Sequence, residues 1–205
     1  MRRLAWFGGG LLLAAAAYSP AMRHWYLTWG ATGEEETAAL PGDGLLPVAD
    51  LRSTRAISID SPPADVWPWL VQMGSGRAGA YTYDWIENLF GLDMHSADEI
   101  VPQFQSLAVG DVLPMGRDTP GMRVEICDAP RTLVFRSEDG QWVWIFSLTA
   151  QQGGTRLVSR NLIAEGGASL GRRLADRLIM EPGSLVMERK MLRGIRDRAE
   201  AVPVR

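Results

Sequence analysis

The stretch Ile57-Ser58-Ile59-Asp60-Ser61-Pro62-Pro63-Ala64-Asp65-Val66-Trp67 decides the predicted fold. Apolar and polar residues alternate from Arg52 to Ile59, which predicts a first β-strand with one buried face. Asp60 or Ser61 is expected to cap the next element, and the two prolines suit a first helical turn. The sequence therefore predicts a strand followed at once by a helix, which Pro68 keeps short or bent because proline lacks a backbone donor.

A second short helix and a run of strands are predicted downstream. The helix covers about Tyr83 to Phe90 and ends at Gly91. After Gly110 the pattern changes to strands joined by short turns, which is typical of an antiparallel meander. Val124 and Ile126 alternate with polar neighbours, as do Leu133 and Phe135 on the return strand, so each pair is predicted to share a face. One face of the next strand carries Trp142, Trp144, Phe146 and Leu148.

The end of the chain is predicted to be helical in two segments. Ser169–Met180 forms the first, Glu181-Pro182-Gly183 interrupts it, and Ser184–Ala201 forms the second. The apolar residues of the second segment gather on less than half of the helical wheel, which indicates a face packed on a sheet. The predicted fold class is α+β, with a curved antiparallel sheet wrapped around a long C-terminal helix, two short helices after the first strand, and an N-terminal apolar helix.

Composition limits the possible functions. The chain has 205 residues and a formal net charge of −3, so it lacks the basic character that nucleic-acid binding requires. Cys127 is the single cysteine, and the histidines are His24 and His95. We therefore expect no disulfide, no metal site and no cofactor.

Residues 1–29 have the pattern of a membrane anchor or a signal segment. Arg2 and Arg3 precede an apolar run from Leu4 to Tyr18, followed by an aromatic cluster of Trp25, Tyr26 and Trp29. Aromatic residues of this kind are frequent at bilayer interfaces, so the first prediction is a transmembrane helix that holds the protein at a membrane. The alternatives are secretion after cleavage near Ser19-Pro20-Ala21, and a buried N-terminal helix.

Residues 30–50 are predicted to be a linker. Their composition shifts to Gly, Glu, Pro and Ala, with a charge run at Glu34-Glu35-Glu36 and turn residues at Pro41-Gly42-Asp43-Gly44. The folded, ligand-binding domain is expected to cover 51–205.

From about Leu51 to Ala201 the chain resembles the START-like, or SRPBCC, helix-grip superfamily of polyketide cyclase/dehydrase and lipid-transport proteins. The residues that carry the resemblance are the quoted stretch, the two short helices, the strands and the final helix. Several shorter motifs are similar to an uncharacterised, actinobacterial-type subgroup: Trp69-Leu70-Val71-Gln72-Met73-Gly74, Arg77-Ala78-Gly79, Tyr83-Asp84-Trp85-Ile86-Glu87-Asn88 and His95-Ser96-Ala97-Asp98.

The resemblance implies a cavity between the sheet and the final helix that accepts lipids, polyketides or other apolar molecules. It does not transfer an activity, because one fold hosts many functions. No catalytic motif of the superfamily maps onto this chain, so the catalytic residues stay unknown and a binder that is not an enzyme is favoured.

Glu188 is the leading candidate for a ligand contact, with Met191 beside it on the apolar arc of the final helix. A carboxylate that faces a cavity would be desolvated, and it could anchor a ligand or move a proton. Alternatively, Glu188 pairs with an arginine. Arg77, in the glycine-rich loop from Gly74 to Gly79, could pair with Glu188, clamp an anionic ligand, or form another structural ion pair.

The remaining candidates are polar and aromatic residues near the predicted cavity. Tyr81 and Tyr83 could donate to a ligand or bury their rings, Asp84 is expected to cap the second helix, and Glu87 could face the cavity or solvent. His95 could be an acid, a base or a structural residue. Trp142, Trp144 and Phe146 occur at strand spacing, so they could line the cavity or pack in the core.

Three functions remain after these observations. The first is binding or transport of a hydrophobic small molecule by a membrane-associated protein. The second is an enzyme of the cyclase or hydrolase type that acts on a hydrophobic substrate, with Glu188, His95 or Tyr83 as acid or base. A third alternative is an interaction protein with little internal volume. A binder requires a roomy apolar cavity, whereas an enzyme requires convergent polar groups inside it.

Overall fold

A computed structural model describes residues 19–116, 119–167 and 169–201. Their strands form one sheet, and the strands are β1 (Leu51–Ile59), β2 (Val112–Leu113), β3 (Met122–Asp128), β4 (Thr132–Ser137), β5 (Trp142–Gln151) and β6 (Gly154–Ile163). The helices are α1 (Pro20–Leu27), α2 (Gly33–Thr37), α3 (Pro63–Val71), α4 (Asp84–Leu89), α5 (Leu170–Ala175) and α6 (Glu181–Ala201). Short 3-10 turns lie at Asp43–Leu45 and Pro102–Phe104, and a π-helical segment covers Asp176–Met180.

The sheet is antiparallel throughout, with the strand order β1-β6-β5-β4-β3-β2. From β2 to β6 each strand pairs with the next in the chain, and β1 closes the order by pairing with β6. The curved sheet, the two short helices α3 and α4, and the long final helix α6 confirm the predicted α+β, helix-grip architecture. The predicted N-terminal apolar helix falls mainly on residues 1–18, outside the described residues.

The main hydrophobic core lies between the inner face of the sheet and α6. Leu133, Phe135, Phe146 and Leu157 supply the sheet side, as strand alternation requires. Helix α6 contributes its apolar stripe of Met191, Leu192, Ile195 and Ala199, and helix α3 contributes Val66, Trp69, Leu70 and Val71. This arrangement confirms the prediction that one face of the final helix packs on the sheet.

A second, smaller core covers the outer face of the sheet. Val134, Val143, Ile145 and Leu162 point outward from β4, β5 and β6 and are buried. The side chains that pack on them come from the segment predicted to be a linker: Leu40, Leu45, Leu46 and Ala49. Residues 38–49 therefore lie against the sheet, although the domain boundary at Leu51 itself stays a prediction.

Arg160 fixes this segment to the outer face. Its guanidinium is fully buried, and it donates to Thr54 Oγ1 (3.0 Å), to the carbonyls of Glu35 (2.6 Å) and Ala38 (2.8 Å), and to Asp43 Oδ2 (2.7 Å). Desolvation is the largest influence on Arg160 and lowers its pKa, while Asp43 opposes that shift. A buried charge needs partners of this kind. The bonds of Arg160 therefore hold the segment before β1 in a fixed position on the sheet.

The chain also covers the free edge of β1. The Ala56 amide donates to the Trp29 carbonyl (3.1 Å), and Gly30 follows with a positive φ of 77°. A Cβ atom at Gly30 would lie 2.1 Å from the Ala56 carbonyl oxygen, so only glycine permits this close approach.

The start of α3 differs from the prediction that Asp60 or Ser61 would cap it. Pro62 is the N-cap residue, and no side chain bonds to the first turn. Ser61 instead donates from Oγ to the Ala199 carbonyl (3.0 Å), and its own carbonyl accepts from Thr155 Oγ1 (2.6 Å). The hydroxyl is therefore used to join the end of α6 to the sheet.

The prediction that Val124 and Ile126 share a face is wrong. A β-bulge interrupts the pairing of β3 with β4 between these two residues. A bulge adds one residue to one strand, which turns the following side chain to the opposite face. Val124 therefore packs in the main core, whereas Ile126 packs on the outer cluster.

The predicted break at Glu181-Pro182-Gly183 is also wrong. The chain stays helical from Leu170 to Ala201, and α6 begins at Glu181 and runs through Pro182. The irregularity is instead the π-helical segment Asp176–Met180, immediately before the proline. The wider turn of a π-helix removes the need for the amide that proline lacks.

Helix α1 packs against the start of α6. Arg23 forms a bidentate ion pair with Glu181 (2.7 and 2.8 Å), and the Tyr26 hydroxyl donates to the same carboxylate (3.2 Å). Trp29 lies beneath the guanidinium groups of Arg189 and Arg193. Tyr26 and Trp29 thus contact protein, which corrects their assignment to a bilayer interface.

No helix among the described ranges combines the length and the apolar character that a membrane crossing requires. The apolar run from Leu4 to Tyr18, on which the predicted anchor depends, lies in 1–18 and outside those ranges. Membrane attachment and cleavage near Ser19 both stay predictions.

We predict that Arg160→Met lowers the free energy of unfolding by about 2–3 kcal/mol. The substitution leaves several buried acceptors without a hydrogen-bond donor and removes the buried partner of Asp43. Arg52→Met is the matched control, since Arg52 also contacts Asp43 (3.2 Å) but is half-exposed. The control is expected to cost less than about 1 kcal/mol. Urea unfolding of the variants measures both values, and equal losses would contradict the role assigned to Arg160.

Candidate functional site

Polar residues interrupt the apolar inner face at one end of β1 and β6. Arg55 is in phase with Ile57 and Ile59, so it points inward as they do. In the antiparallel register Arg55 lies opposite Ser159, and Ser53 lies opposite Asn161. These residues therefore form a polar patch beneath α6, next to the hydrophobic core.

The patch binds the carboxylate of Glu188, which projects from α6 and is 6% exposed. Arg55, which is completely buried, forms a direct ion pair with Glu188 Oε2. Ser159 Oγ donates to Oε1 (2.5 Å), and Asn161 Nδ2 lies 3.2 and 3.3 Å from the two oxygens. Each carboxylate oxygen thus accepts from two protein donors, as a buried charge requires.

The other nitrogens of Arg55 are also satisfied. Nε donates to the Tyr26 carbonyl (3.0 Å), and a terminal nitrogen donates to Ser184 Oγ (2.9 Å). Arg55 therefore joins three parts of the chain: the first strand, helix α1, and the start of α6.

The same polar groups orient two indole rings on β5. Trp142 Nε1 donates to Asn161 Oδ1 (2.9 Å), and Trp144 Nε1 donates to Ser159 Oγ (3.0 Å). The two rings stack with centroids 5.5 Å apart and an interplanar angle of 21°. Because each ring is fixed at its polar edge, its apolar surface is held in a constant position.

These rings line two pockets that share part of their wall, and we refer to these pockets as two chambers of one cavity. The polar chamber has a volume of about 200 Å³ and the apolar chamber about 150 Å³, and both are lined by Ala80, Glu87, Trp142 and Trp144. The polar chamber is completed by Ser53, Arg55, Thr82, Asn161, Ser184, Met187, Glu188 and Met191. The apolar chamber is completed by Met73, Gly74, Leu92, Met94, Leu113, Met115, Met122 and Phe135.

Glu87 is the polar side chain that reaches both chambers. Burial raises the pKa of its carboxyl group, and Thr82 partly opposes the shift. No hydrogen bond of normal geometry joins the two groups, however. Glu87 Oε2 and Thr82 Oγ1 are both shielded from solvent and have no hydrogen-bond partner among the described residues. A shielded polar atom without a partner is unusual in a folded protein.

The structure brings five of the predicted site residues together at the cavity: Glu87, Trp142, Trp144, Glu188 and Met191. Glu188 is held by an arginine, which was one of the two alternatives predicted for it. Phe146 lies elsewhere: it is fully buried in the core and contacts Trp144 and Phe135.

Arg77 does not pair with Glu188, which corrects one of its predicted roles. Its guanidinium donates to the carbonyls of Met73 (3.2 Å), Val71 (2.9 Å) and Phe104 (3.0 Å), and it lies over the Phe104 ring. Desolvation is the main influence on Arg77 and lowers its pKa. Because these carbonyls already use its donors, Arg77 holds the glycine-rich loop in place.

The contacts of Tyr81 are all within the protein, which indicates a structural role. Its backbone has a positive φ of 58°, and its hydroxyl donates to the Trp69 carbonyl (2.9 Å) and accepts from Gln72 (2.9 Å). Burial raises the pKa of this phenol. A Cβ atom at Gly194 would lie 2.7 Å from Tyr81, so α6 approaches closely here because it carries glycine.

Tyr83 and His95 lie at the surface. Tyr83 is the N-cap residue of α4, and the His95 side chain is 77% exposed with Asp93 at 3.1 Å. The expectation that Asp84 caps α4 is wrong, because its carboxylate accepts from the Ser96 amide (2.7 Å) and hydroxyl (2.6 Å). Neither Tyr83 nor His95 lines a chamber.

The sequence interpretation missed Arg55, Ser159 and Asn161. The signal for Arg55 was present, because it shares the phase of Ile57 and Ile59 on a strand whose inner face was predicted to be buried. A buried arginine requires an acidic partner, and Glu188 was the carboxylate predicted to face inward. Ser159 and Asn161 carried no comparable signal, since their role follows from the register of β1 and β6.

No group of three or more metal-ligating side chains occurs within the described ranges. The residues of the cavity wall include carboxylates but no histidine or cysteine.

No family model matches this chain, and no curated protein matches it. Among solved structures it is similar to the KanY protein, at 11% identity and a TM-score of 0.49, over 75% of this chain and 100% of that one. A polyketide cyclase-like protein of Corynebacterium glutamicum matches at 16% identity and a TM-score of 0.45, over 73% and 91%. An AHSA1-like protein of Aeromonas hydrophila matches at 14% and 0.42, over 76% and 99%.

At such low identities and TM-scores, neither ligand nor activity transfers to this chain. The narrower resemblance to an actinobacterial-type subgroup stays a prediction.

We predict that Arg55→Met lowers the free energy of unfolding by about 3–5 kcal/mol, because it leaves the Glu188 carboxylate buried without its counterion. The double variant Arg55→Met/Glu188→Met should recover part of this loss, since the unpaired charge is then absent. Chemical unfolding of the two single variants and the double variant forms a double-mutant cycle that measures the coupling.

Arg131→Met is the control for this cycle. Arg131 pairs with Asp128 (3.0 Å) on the surface, so its loss should leave the unfolding midpoint unchanged. Additive losses for Arg55 and Glu188 would show that the two side chains do not stabilise the protein as a pair.

Proposed function

We propose that this protein binds a small, mostly apolar molecule in the two-chamber cavity between the sheet and α6. The observation that carries the proposal is the pair of stacked indoles of Trp142 and Trp144, which are fixed by hydrogen bonds and line both chambers. Rigid aromatic surfaces and a few fixed polar groups are typical of ligand pockets, whose volumes are roughly 300–1,000 Å³. The two adjoining chambers reach the lower end of that range, which favours a slender ligand.

Binding is favoured over catalysis by the state of the charged groups. Glu188 and Arg55 are bonded to each other and to neighbouring protein groups, so both charges are already engaged in structural contacts. Among the described residues that line the chambers, Glu87 is the remaining titratable carboxylate. Acid–base catalysis by a cyclase or hydrolase usually needs a second positioned group, such as an orienting partner or an oxyanion donor.

We predict that Ala80→Leu abolishes ligand binding, because Ala80 lies where the chambers adjoin and a larger side chain would fill that space. Intrinsic tryptophan fluorescence during titration with undecane or another slender apolar probe measures the loss. Native mass spectrometry of protein purified from cells gives an independent readout, since a co-purifying molecule should be absent from the variant.

Ala108→Leu is the matched control, because Ala108 is exposed and lines neither chamber. It should bind as the unmodified protein does. Unchanged binding by Ala80→Leu would show that the molecule occupies another place, and an absence of any apolar ligand from both experiments would contradict the proposed function.

We further propose that the protein works at a membrane surface, with the mouth of the cavity facing the lipid. An open cleft is lined by Phe90 after α4, by Met180 before α6, and by Trp142, which also lines both chambers. Phe90 and Met180 are exposed, and further exposed apolar side chains lie near each of them in the sequence: Trp85 and Leu89 before Phe90, and Leu174 and Ile179 before Met180. Exposed apolar residues beside a cleft are typical of interaction sites, including membrane contacts.

The position of α1 supports the same orientation. Arg23 in α1 forms an ion pair with Glu181, the residue after Met180. Helix α1 therefore lies next to these exposed apolar residues, which we call the apolar rim. The preceding sequence is the apolar run from Leu4 to Tyr18. An inserted run would hold the rim against the same bilayer.

We predict that lipids brominated in their acyl chains quench the fluorescence of Trp85, which is 67% exposed on the rim. In the full chain with vesicles, Trp85→Phe should therefore remove part of the total quenching. Trp67→Phe is the control, because Trp67 packs against the main core and should be out of reach of the lipid. Equal effects of the two substitutions would place the rim away from the bilayer.

A further inference from the structure

Two polar atoms in the wall of the cavity lack partners. Glu87 Oε2 and Thr82 Oγ1 are shielded from solvent and make no hydrogen bond within the part of the chain that the structure describes. Both residues line the polar chamber, and Glu87 also lines the apolar chamber. Leaving such atoms without partners is unfavourable, so a ligand that bonds to them recovers that cost.

The charges of the cavity wall disfavour an anionic ligand. Arg55 is the one cation among the described residues that line the two chambers, and the Glu188 carboxylate already neutralises it. Glu87 adds negative charge whenever it is ionised. A fatty-acid carboxylate placed here would be desolvated without a counterion, which is unfavourable.

Glu87 has apolar side chains near it in both chambers, although the polar chamber also contains Arg55 and Glu188. Met73, Leu113 and Phe135 line one chamber, and Met187 and Met191 line the other. A ligand that fills both chambers would therefore place an apolar part on each side of Glu87. Its polar atom would lie between these parts and not at one end.

We propose that the cavity selects an uncharged apolar molecule with a hydroxyl group partway along its length, which donates to Glu87 Oε2 and accepts from Thr82 Oγ1. A hydroxyl is both a donor and an acceptor, so it satisfies both atoms at once. The inference rests on the proposed function, because it names the class of ligand that the same cavity takes.

Four probes of equal chain length test the inference on the full-length protein. Dipentylmethanol carries a central hydroxyl, dipentyl ketone a central acceptor, undecane no polar atom, and undecanoate a terminal charge. We expect dipentylmethanol to bind about tenfold more tightly than undecane, as two modest hydrogen bonds would produce, and undecanoate to bind most weakly at neutral pH. Titration followed by tryptophan fluorescence or calorimetry measures the dissociation constants.

Variants assign the selectivity to Glu87. Glu87→Leu should bring the dissociation constants for dipentylmethanol and undecane together, because the acceptor is lost while the apolar surface is kept. Glu87→Gln retains an acceptor and should retain the preference for the alcohol, which separates loss of recognition from failure to fold. Glu34→Leu, at an exposed carboxylate on α2, is the matched control and should leave all four constants unchanged.

The outcomes distinguish this inference from the proposed function. If undecane binds and Ala80→Leu removes its binding, but the alcohol binds no more tightly than undecane, the inference is overturned and the proposed function stands. Tighter binding of undecanoate than of the alcohol, or an unchanged preference in Glu87→Leu, also overturns it. If none of the four probes binds, both proposals are wrong.

Discussion

The ion pair of Arg55 and Glu188 is the interaction on which the rest of the site depends. It joins the first strand to the final helix across more than a hundred residues of sequence, and it does so in the interior, where an unpaired charge would be very costly. Satisfying that pair requires Ser159 and Asn161 on the neighbouring strand. The position of α6 over this end of the sheet is therefore determined by hydrogen bonds as well as by hydrophobic packing.

The same requirement explains why a cavity exists beside a well-packed core. At one end of the inner face, aliphatic and aromatic side chains fill the space between the sheet and α6. At the other end, short polar side chains and a fixed ion pair replace them and fill less of it. Asn161 and Ser159 also fix the orientation of the Trp142 and Trp144 indoles through hydrogen bonds to Nε1. The polar network therefore determines the shape of the apolar surface available to a ligand.

Much of the fold could be predicted because alternation and helical periodicity are local properties. They correctly indicated β1, the meander from β3 to β6, and the apolar face of α6. The bulge before Ile126 and the packing of residues 38–49 could not be read in this way, because both depend on neighbouring strands. For the site, the inward position of Glu188 was accessible from the helical wheel. Its partner Arg55 could be identified only by combining the inward phase of β1 with the helical wheel of α6. That Glu87 Oε2 has no hydrogen-bond partner among the described residues follows only from the three-dimensional structure.

The bond between the Ala56 amide and the Trp29 carbonyl has a consequence for association between molecules. An edge strand with free amides and carbonyls is a template on which another chain can add a strand, and this is a route to aggregation. Trp29, which precedes α2, occupies one position of that template on β1, and at the opposite border β2 is only two residues long. Both borders of the sheet therefore offer less free backbone to another chain, which disfavours fibre-like self-assembly in a protein that exposes apolar side chains around its cleft.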